Sequence, residues 1–237
     1  MKKIFILLTF ILSIVCVNAQ LKKKQSDADK DKKEGLHADG GSWGFKPATD
    51  VNENDSMNIL LIGDSILKGY GRLVTDNLKN KAKVDFWITG KHLNSDGLLE
   101  ELREYVSKRK YDVIHFNIGL HGWQVGRIPE GQYVPLLEKY VQTLKEYAPQ
   151  AKLIWANTTP VTEHGSPVLN DEINPTIIAR NALAAEVMKR NEVVINDLYT
   201  MLVNRLILAR LDRFHWNEEG YRLMANQISD YLLKELE

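Results

Sequence analysis

The chain predicts an α/β domain with a parallel sheet of about five strands covered on both faces by helices. Two observations carry that reading. Short apolar runs of strand length alternate with amphipathic segments of helix length from Met57 onward. The first of these runs, Asn58-Ile59-Leu60-Leu61-Ile62, is uninterrupted and stops at Gly63-Asp64-Ser65. A continuous apolar run suits a strand buried on both sides, and crossovers of helix length suit parallel pairing.

Residues 1–19 precede this domain and have the layout of a secretory signal peptide. Lys2 and Lys3 lead into an apolar run from Ile4 to Val17, and Ala19 supplies a small residue at the expected cut. The run is short for a membrane span, so no stable membrane insertion is expected after cleavage; an uncleaved anchor is the alternative. The single cysteine, Cys16, lies inside this leader without the small residue before it that lipidation requires, so the mature chain is expected to lack cysteine. An exported protein without disulfides depends on its core, and roughly 180 residues suffice to build one. Residues 20–56 read as a polar, disordered tether, because Lys22, Lys23 and Lys24 are nearly balanced by Asp27, Asp29, Asp31 and Glu34 and almost nothing is apolar. Trp43 and Phe45 are the exceptions, as aromatic residues that would dock on the domain or its rim.

Within the domain, residues 67–78 are helix-compatible and residues 84–88 form a second strand leading to Thr89-Gly90. Asp96 is a candidate cap for a helix bearing Leu98, Leu99, Leu102 and Val106. A third strand spans 111–118 and a helix 132–147. The fourth strand, 152–156, runs into Asn157-Thr158-Thr159-Pro160. A helix over 174–190, a fifth strand at 193–195, a helix over 197–208 and a last helix from Asn217 complete the alternation. No glycine-rich dinucleotide or nucleotide motif and no paired Cys/His spacing is present, so no organic cofactor and no metal is implied. With 31 basic and 31 acidic residues, the chain lacks the basic surplus of a nucleic-acid binder. It becomes about two units negative without Lys2 and Lys3.

Chemistry concentrates at two points. Ser65 ends the first strand on the sheet edge where α/β proteins bind ligands, at a helix start whose free N–H groups favour negative charge. On that stretch alone Ser65 is equally a helix N-cap. Near the other end, Asp212-Arg213-Phe214-His215 precedes the final helix, which Asn217 caps. A three-residue spacing in a turn lets the Asp212 carboxylate reach the His215 Nδ1–H, leaving Nε2 to take a proton. His115, between Ile114 and Phe116, reads as a core histidine, and His92 and His164 as loop residues. Asn157, at a strand's carboxyl end, is a candidate pocket residue.

Together, Gly63-Asp64-Ser65-Ile66 and Asp212-x-x-His215 resemble the SGNH, or GDSL-type, hydrolases, with Ile66 where the family name records leucine. The resemblance extends from about Met57 to the C-terminus. It implies a three-layer α/β/α, flavodoxin-like sandwich with Ser65 as nucleophile and Asp212 and His215 completing a triad. The family's oxyanion hole implies donors from the Ser65 backbone, from Gly90 (Gly97 fits less well) and from an Asn after the third strand. Here Asn117-Ile118-Gly119-Leu120-His121-Gly122 departs from that pattern, with His121 where Asn is usual. A neutral imidazole donates one hydrogen bond as an amide does, so His121 or Asn117 is the third donor. The expected activity is that of an exported esterase, in the bacterial periplasm, at the cell surface or outside, acting on small acyl groups, acetyl first among them, of a carbohydrate or other small-molecule ester. A lipase, thioesterase or acyltransferase of this fold, or a non-catalytic glycan-binding protein, are the alternatives.

Overall fold

The computed structural model describes residues 42–48 and 57–235. The expected leader, and the expected tether apart from residues 42–48, lie outside the described residues. The sheet has six strands: β1 (Ser42–Lys46), β2 (Met57–Gly63), β3 (Ala82–Thr89), β4 (Val113–Phe116), β5 (Lys152–Ala156) and β6 (Val194–Asn196). Their spatial order is β1-β3-β2-β4-β5-β6. β2 to β6 pair in parallel, and β1 runs antiparallel along the outside of β3.

That edge strand lies inside the segment 20–56 expected as a tether: Trp43 and Phe45 dock on the domain as expected, and residues 42–46 around them form a strand that was not. Pairing partners, not local apolar content, hold it. Phe45 stacks on Tyr105 at 5.4 Å between ring centroids, and Lys108 lies over the Phe45 ring. Just beyond β1, the Ala48 N–H donates to the buried Asp85 carboxylate at 2.8 Å. Asp85 also accepts from Arg109 Nε at 3.0 Å and the Tyr111 hydroxyl at 2.7 Å, so its buried charge is fully compensated.

β2 shows why the sheet needs two helical layers. Ile59 and Leu61 enter one core and Leu60 and Ile62 the other, all four buried. The first core is covered by α1 (Ser65–Asn77), α5 (Leu198–Val203) and α6 (Glu218–Lys234). The second is covered by α2 (Leu98–Val106), α3 (Tyr133–Tyr147) and α4 (Asn174–Arg190). The helix expected over 197–208 is shorter: α5 ends at Val203, and a 3-10 turn spans Leu206–Leu208. Asp96 does not cap α2. Gly97 takes that place with φ of 71°, a left-handed backbone suited to glycine, and no side chain caps the helix.

α1 and α6 lie against each other, which matters because one begins at Ser65 and the other follows His215. Gly69 makes this approach possible. A Cβ there would stand 2.1 Å from the Tyr221 ring of α6.

Candidate active site

Ser65 is the first residue of α1, and Asp64, not Ser65, is its N-cap. The Asp64 Oδ1 accepts from the Ile66 N–H at 2.8 Å. The Ser65 hydroxyl is thereby released from capping, and its own N–H, in the first turn, has no intrahelical acceptor. Ser65 is half-buried at the carboxyl end of β2.

Its hydroxyl meets the second motif. Ser65 Oγ lies 2.8 Å from His215 Nε2, and His215 Nδ1 lies 3.0 Å from Asp212 Oδ2. The carboxylate can only accept, so Nδ1 carries the proton and Nε2 accepts from the serine. Asp212 is held in turn by the backbone it precedes. Its Oδ1 accepts from the N–H groups of His215 at 2.9 Å and Phe214 at 3.3 Å. Partial burial pushes its carboxyl up, but those amides and the adjacent imidazole outweigh this and leave it below the ordinary range. Arg213, inside this turn, has φ of 83°, a left-handed conformation uncommon for a non-glycine residue.

The turn is fixed by a set of asparagines that sequence reading missed. Asn181 of α4 makes a reciprocal pair with the Thr158 backbone, at 3.0 and 2.9 Å. Asn174 bonds Val161 the same way, donating to its carbonyl at 2.5 Å and accepting from its N–H at 3.2 Å. The Thr162 N–H then donates to the Arg213 carbonyl at 3.0 Å. A helix on one side of the sheet thus anchors the loop after β5, and that loop anchors the Asp212–His215 turn. The available signal was two buried asparagines on a helix otherwise rich in apolar and charged residues.

Gly90 directly follows β3 and is buried. His121 lies in a 3-10 turn, Leu120–Gly122, after β4; its carbonyl accepts from Arg127. Its Nε2 is 3.9 Å from Asp64 Oδ2, beside Ser65 in the chain, and Trp43 packs against the ring edge to face at 5.8 Å. Asn117 is engaged elsewhere. Its Nδ2 donates to the Ala156 carbonyl at 2.7 Å and the Thr158 hydroxyl at 3.2 Å, while its Oδ1 accepts from the Gly119 N–H. Both amide protons therefore point into the scaffold.

Asn157 borders a cavity of about 20 Å³ with Ile66, Leu67, Tyr70, Leu120 and Leu198. Its own polar atoms are used structurally, accepting from Trp155 Nε1 at 3.2 Å and donating to Asp197 at 3.0 Å. Three further histidines lie among the described residues, none of them hydrogen-bonded to Ser65 or His215. His115 is fully buried, paired with Asn196 at 3.2 Å, and burial lowers it to about 3. His92 braces a local turn, its Nδ1 accepting from the Asn94 N–H, and His164 is exposed.

Comparison with known proteins agrees with this arrangement. The model of the GDSL-like lipase/acylhydrolase family matches residues 61–223, which include both motifs. The uncharacterized protein YpmR of Bacillus subtilis (strain 168) is 26% identical over 231 residues, spanning 82% of this chain and 88% of that protein. Among solved structures, the lipase/acylhydrolase from Enterococcus faecalis superposes with a TM-score of 0.60 at 20% identity, covering 74% of this chain and 95% of that one. The acetyl xylan esterase AlAXEase superposes with a TM-score of 0.61 at 17% identity, covering 74% of this chain and 100% of that one. At such identities the structures speak for the fold, while the family match spans most of the domain. The chain therefore belongs to the GDSL-like lipase/acylhydrolase family.

Proposed function

We propose that this protein is an exported serine esterase that removes small acyl groups, acetyl first among them, from carbohydrate esters. The observation that carries the reaction type is the continuous hydrogen-bonded chain Ser65–His215–Asp212, at 2.8 and 3.0 Å. Ser65 Oγ attacks the ester carbonyl as its proton passes to His215 Nε2. The imidazolium so formed is stabilised by Asp212, whose carboxylate keeps its charge. The tetrahedral oxyanion is met by the N–H groups of Ser65 and Gly90 and by the His121 imidazole N–H. His121 is preferred to Asn117 because both Asn117 amide protons already have acceptors. Collapse of the intermediate breaks the bond to the alcohol oxygen, which takes the proton from His215. Water then attacks the acyl carbon, giving its proton to His215 Nε2, and collapse breaks the bond to Ser65 Oγ, which takes that proton back as the acid leaves.

The choice of acetyl as the acyl group is supported by the fold shared with the acetyl xylan esterase AlAXEase. The carbohydrate alcohol is supported by the fold shared with the acetyl xylan esterase. Export is supported by the leader-like pattern of residues 1–19. The test is turnover of acetylated sugars against longer-chain esters by the wild type and by Ser65→Ala. Acetate release that disappears in Ser65→Ala supports the reading; preference for long acyl chains contradicts the small-acyl part of it.

A further inference from the structure

The edge strand β1 delivers a large aromatic side chain to the rim of the site. Its first residue, Ser42, is opposite Thr89, the last residue of β3, and Gly44 is opposite Ile88. Two steps along β1 thus match one along β3, which leaves Trp43 as the extra residue of a β-bulge. Gly44, next to it, has φ of 98°, a backbone that L side chains resist. Trp43 stands beside the strand end that carries Gly90, and its ring packs on His121. It remains 46% exposed although it is among the largest apolar side chains of the domain.

The placement relative to Ser65 is directional. Trp43 belongs to the β1–β3 side of the β2 strand end. The ends of β4 and β5, followed by Asn117 and Asn157, lie on the opposite side. An ester bound at Ser65 extends in two directions, acyl group one way and alcohol the other. An acyl group directed towards the β4 and β5 ends leaves the β1–β3 side, where Trp43 stands, for the alcohol.

We propose that Trp43 is a specificity-determining residue whose exposed indole face is the stacking platform for a pyranose ring on the alcohol side of the ester. One face of such a ring presents C–H bonds that meet the negative π-face of the indole, while its hydroxyls stay in water. The platform rests on the esterase reading above for its place in the reaction, but sugar binding itself can be read without turnover.

Two measurements on the full chain test it. In the first, kcat/KM is compared for mono-acetylated xylobiose and for ethyl acetate, which shares the acyl group and lacks a ring. Trp43→Ala is expected to lower the ratio of the two about tenfold, mainly through KM for the sugar ester, and Trp43→Phe to recover most of it. An unchanged ratio in Trp43→Ala, with the fold intact, overturns the platform. So does a loss confined to long-chain acyl esters, which marks an apolar acyl contact instead. In the second, unesterified xylobiose is titrated into 15N-labelled protein. The indole N–H signal assigned to Trp43, through its absence in Trp43→Phe, is expected to shift most among the five tryptophans. A shift without any ester turnover by the wild type would sink the esterase reading and keep the platform; no shift removes the platform whatever the turnover.

Discussion

At the scale of single residues, the site depends on which groups are already occupied. Asp64 takes the capping duty that Ser65 would otherwise perform, and the Asn117 amide is committed to the scaffold. Both facts needed coordinates, because Asp and Ser are equally good caps and an asparagine's partners cannot be read from its neighbours. Ser65→Ala and His215→Ala are each expected to lower turnover about 10⁴-fold or more, with the double variant little worse than either, since the groups act on one proton. Steady-state kinetics on p-nitrophenyl acetate checks this; costs that add in free energy would contradict it. At His121, replacement by Asn restores an amide donor and is expected to retain most activity. His121→Ala should lose about 100-fold in kcat with a smaller change in KM. Wild-type kcat in a folded His121→Ala removes the imidazole from the oxyanion hole. His115 has a different signature. Burial lowers its folded-state value from 6.5 to about 3, so the unfolded chain binds a proton that the folded one refuses. Its contribution is present above about pH 6.5 and is lost as pH falls from there towards 3. His115→Gln, which keeps an acceptor for Asn196, should flatten the dependence of denaturation free energy between pH 7 and 5. An unchanged slope would assign that dependence to other groups.

At the scale of elements, the five parallel strands and their flanking helices were legible because apolar runs and helical spacing report burial directly. Asn217 was legible as a cap for the same local reason, and its Oδ1 accepts from the Gly220 N–H. β1 was not. Its stability comes from Tyr105, Asp85 and the β3 ladder, all distant in sequence, and nothing in Ser-Trp-Gly-Phe-Lys alternates over enough residues to announce a strand. Phe45→Ala removes the stacked ring that seats β1. It is expected to reduce the preference for the sugar ester in the same direction as Trp43→Ala, with a small loss in Tm. Equal preference to wild type would mean that β1 holds Trp43 without Phe45. The α1–α6 contact makes a sharper demand. Gly69→Ala drives a methyl into the Tyr221 ring and is expected to destabilise the fold by about 1–3 kcal/mol. It should also lower kcat, because the two helices flank Ser65 and His215. Denaturant unfolding and kinetics on the same variant separate the effects, and full activity at lowered stability would show that the Ser65–His215 distance is set elsewhere.

At the scale of the whole molecule, the two motifs lie 150 residues apart in sequence and 2.8 Å apart in the structure. The sheet puts the strand ends on one edge, α1 and α6 close on each other through Gly69, and α4 secures the His215 turn through the loop after β5. The motifs were legible as residue types at fixed spacing, whereas the asparagine brace that orients the turn was not, since it joins segments with no shared pattern. The proposed export has its own test: N-terminal sequencing of the secreted protein should begin at Gln20, and a membrane-bound protein beginning at Met1 would identify an anchor. The central claim is that Ser65 is a nucleophile activated by His215. Labelling the intact protein with a fluorophosphonate, followed by peptide mass spectrometry, tests it most directly. The expected result is one adduct, on Ser65, lost in Ser65→Ala and strongly slowed in His215→Ala. Labelling that persists in Ser65→Ala, or a wild-type protein that stays unlabelled while folded, would contradict it.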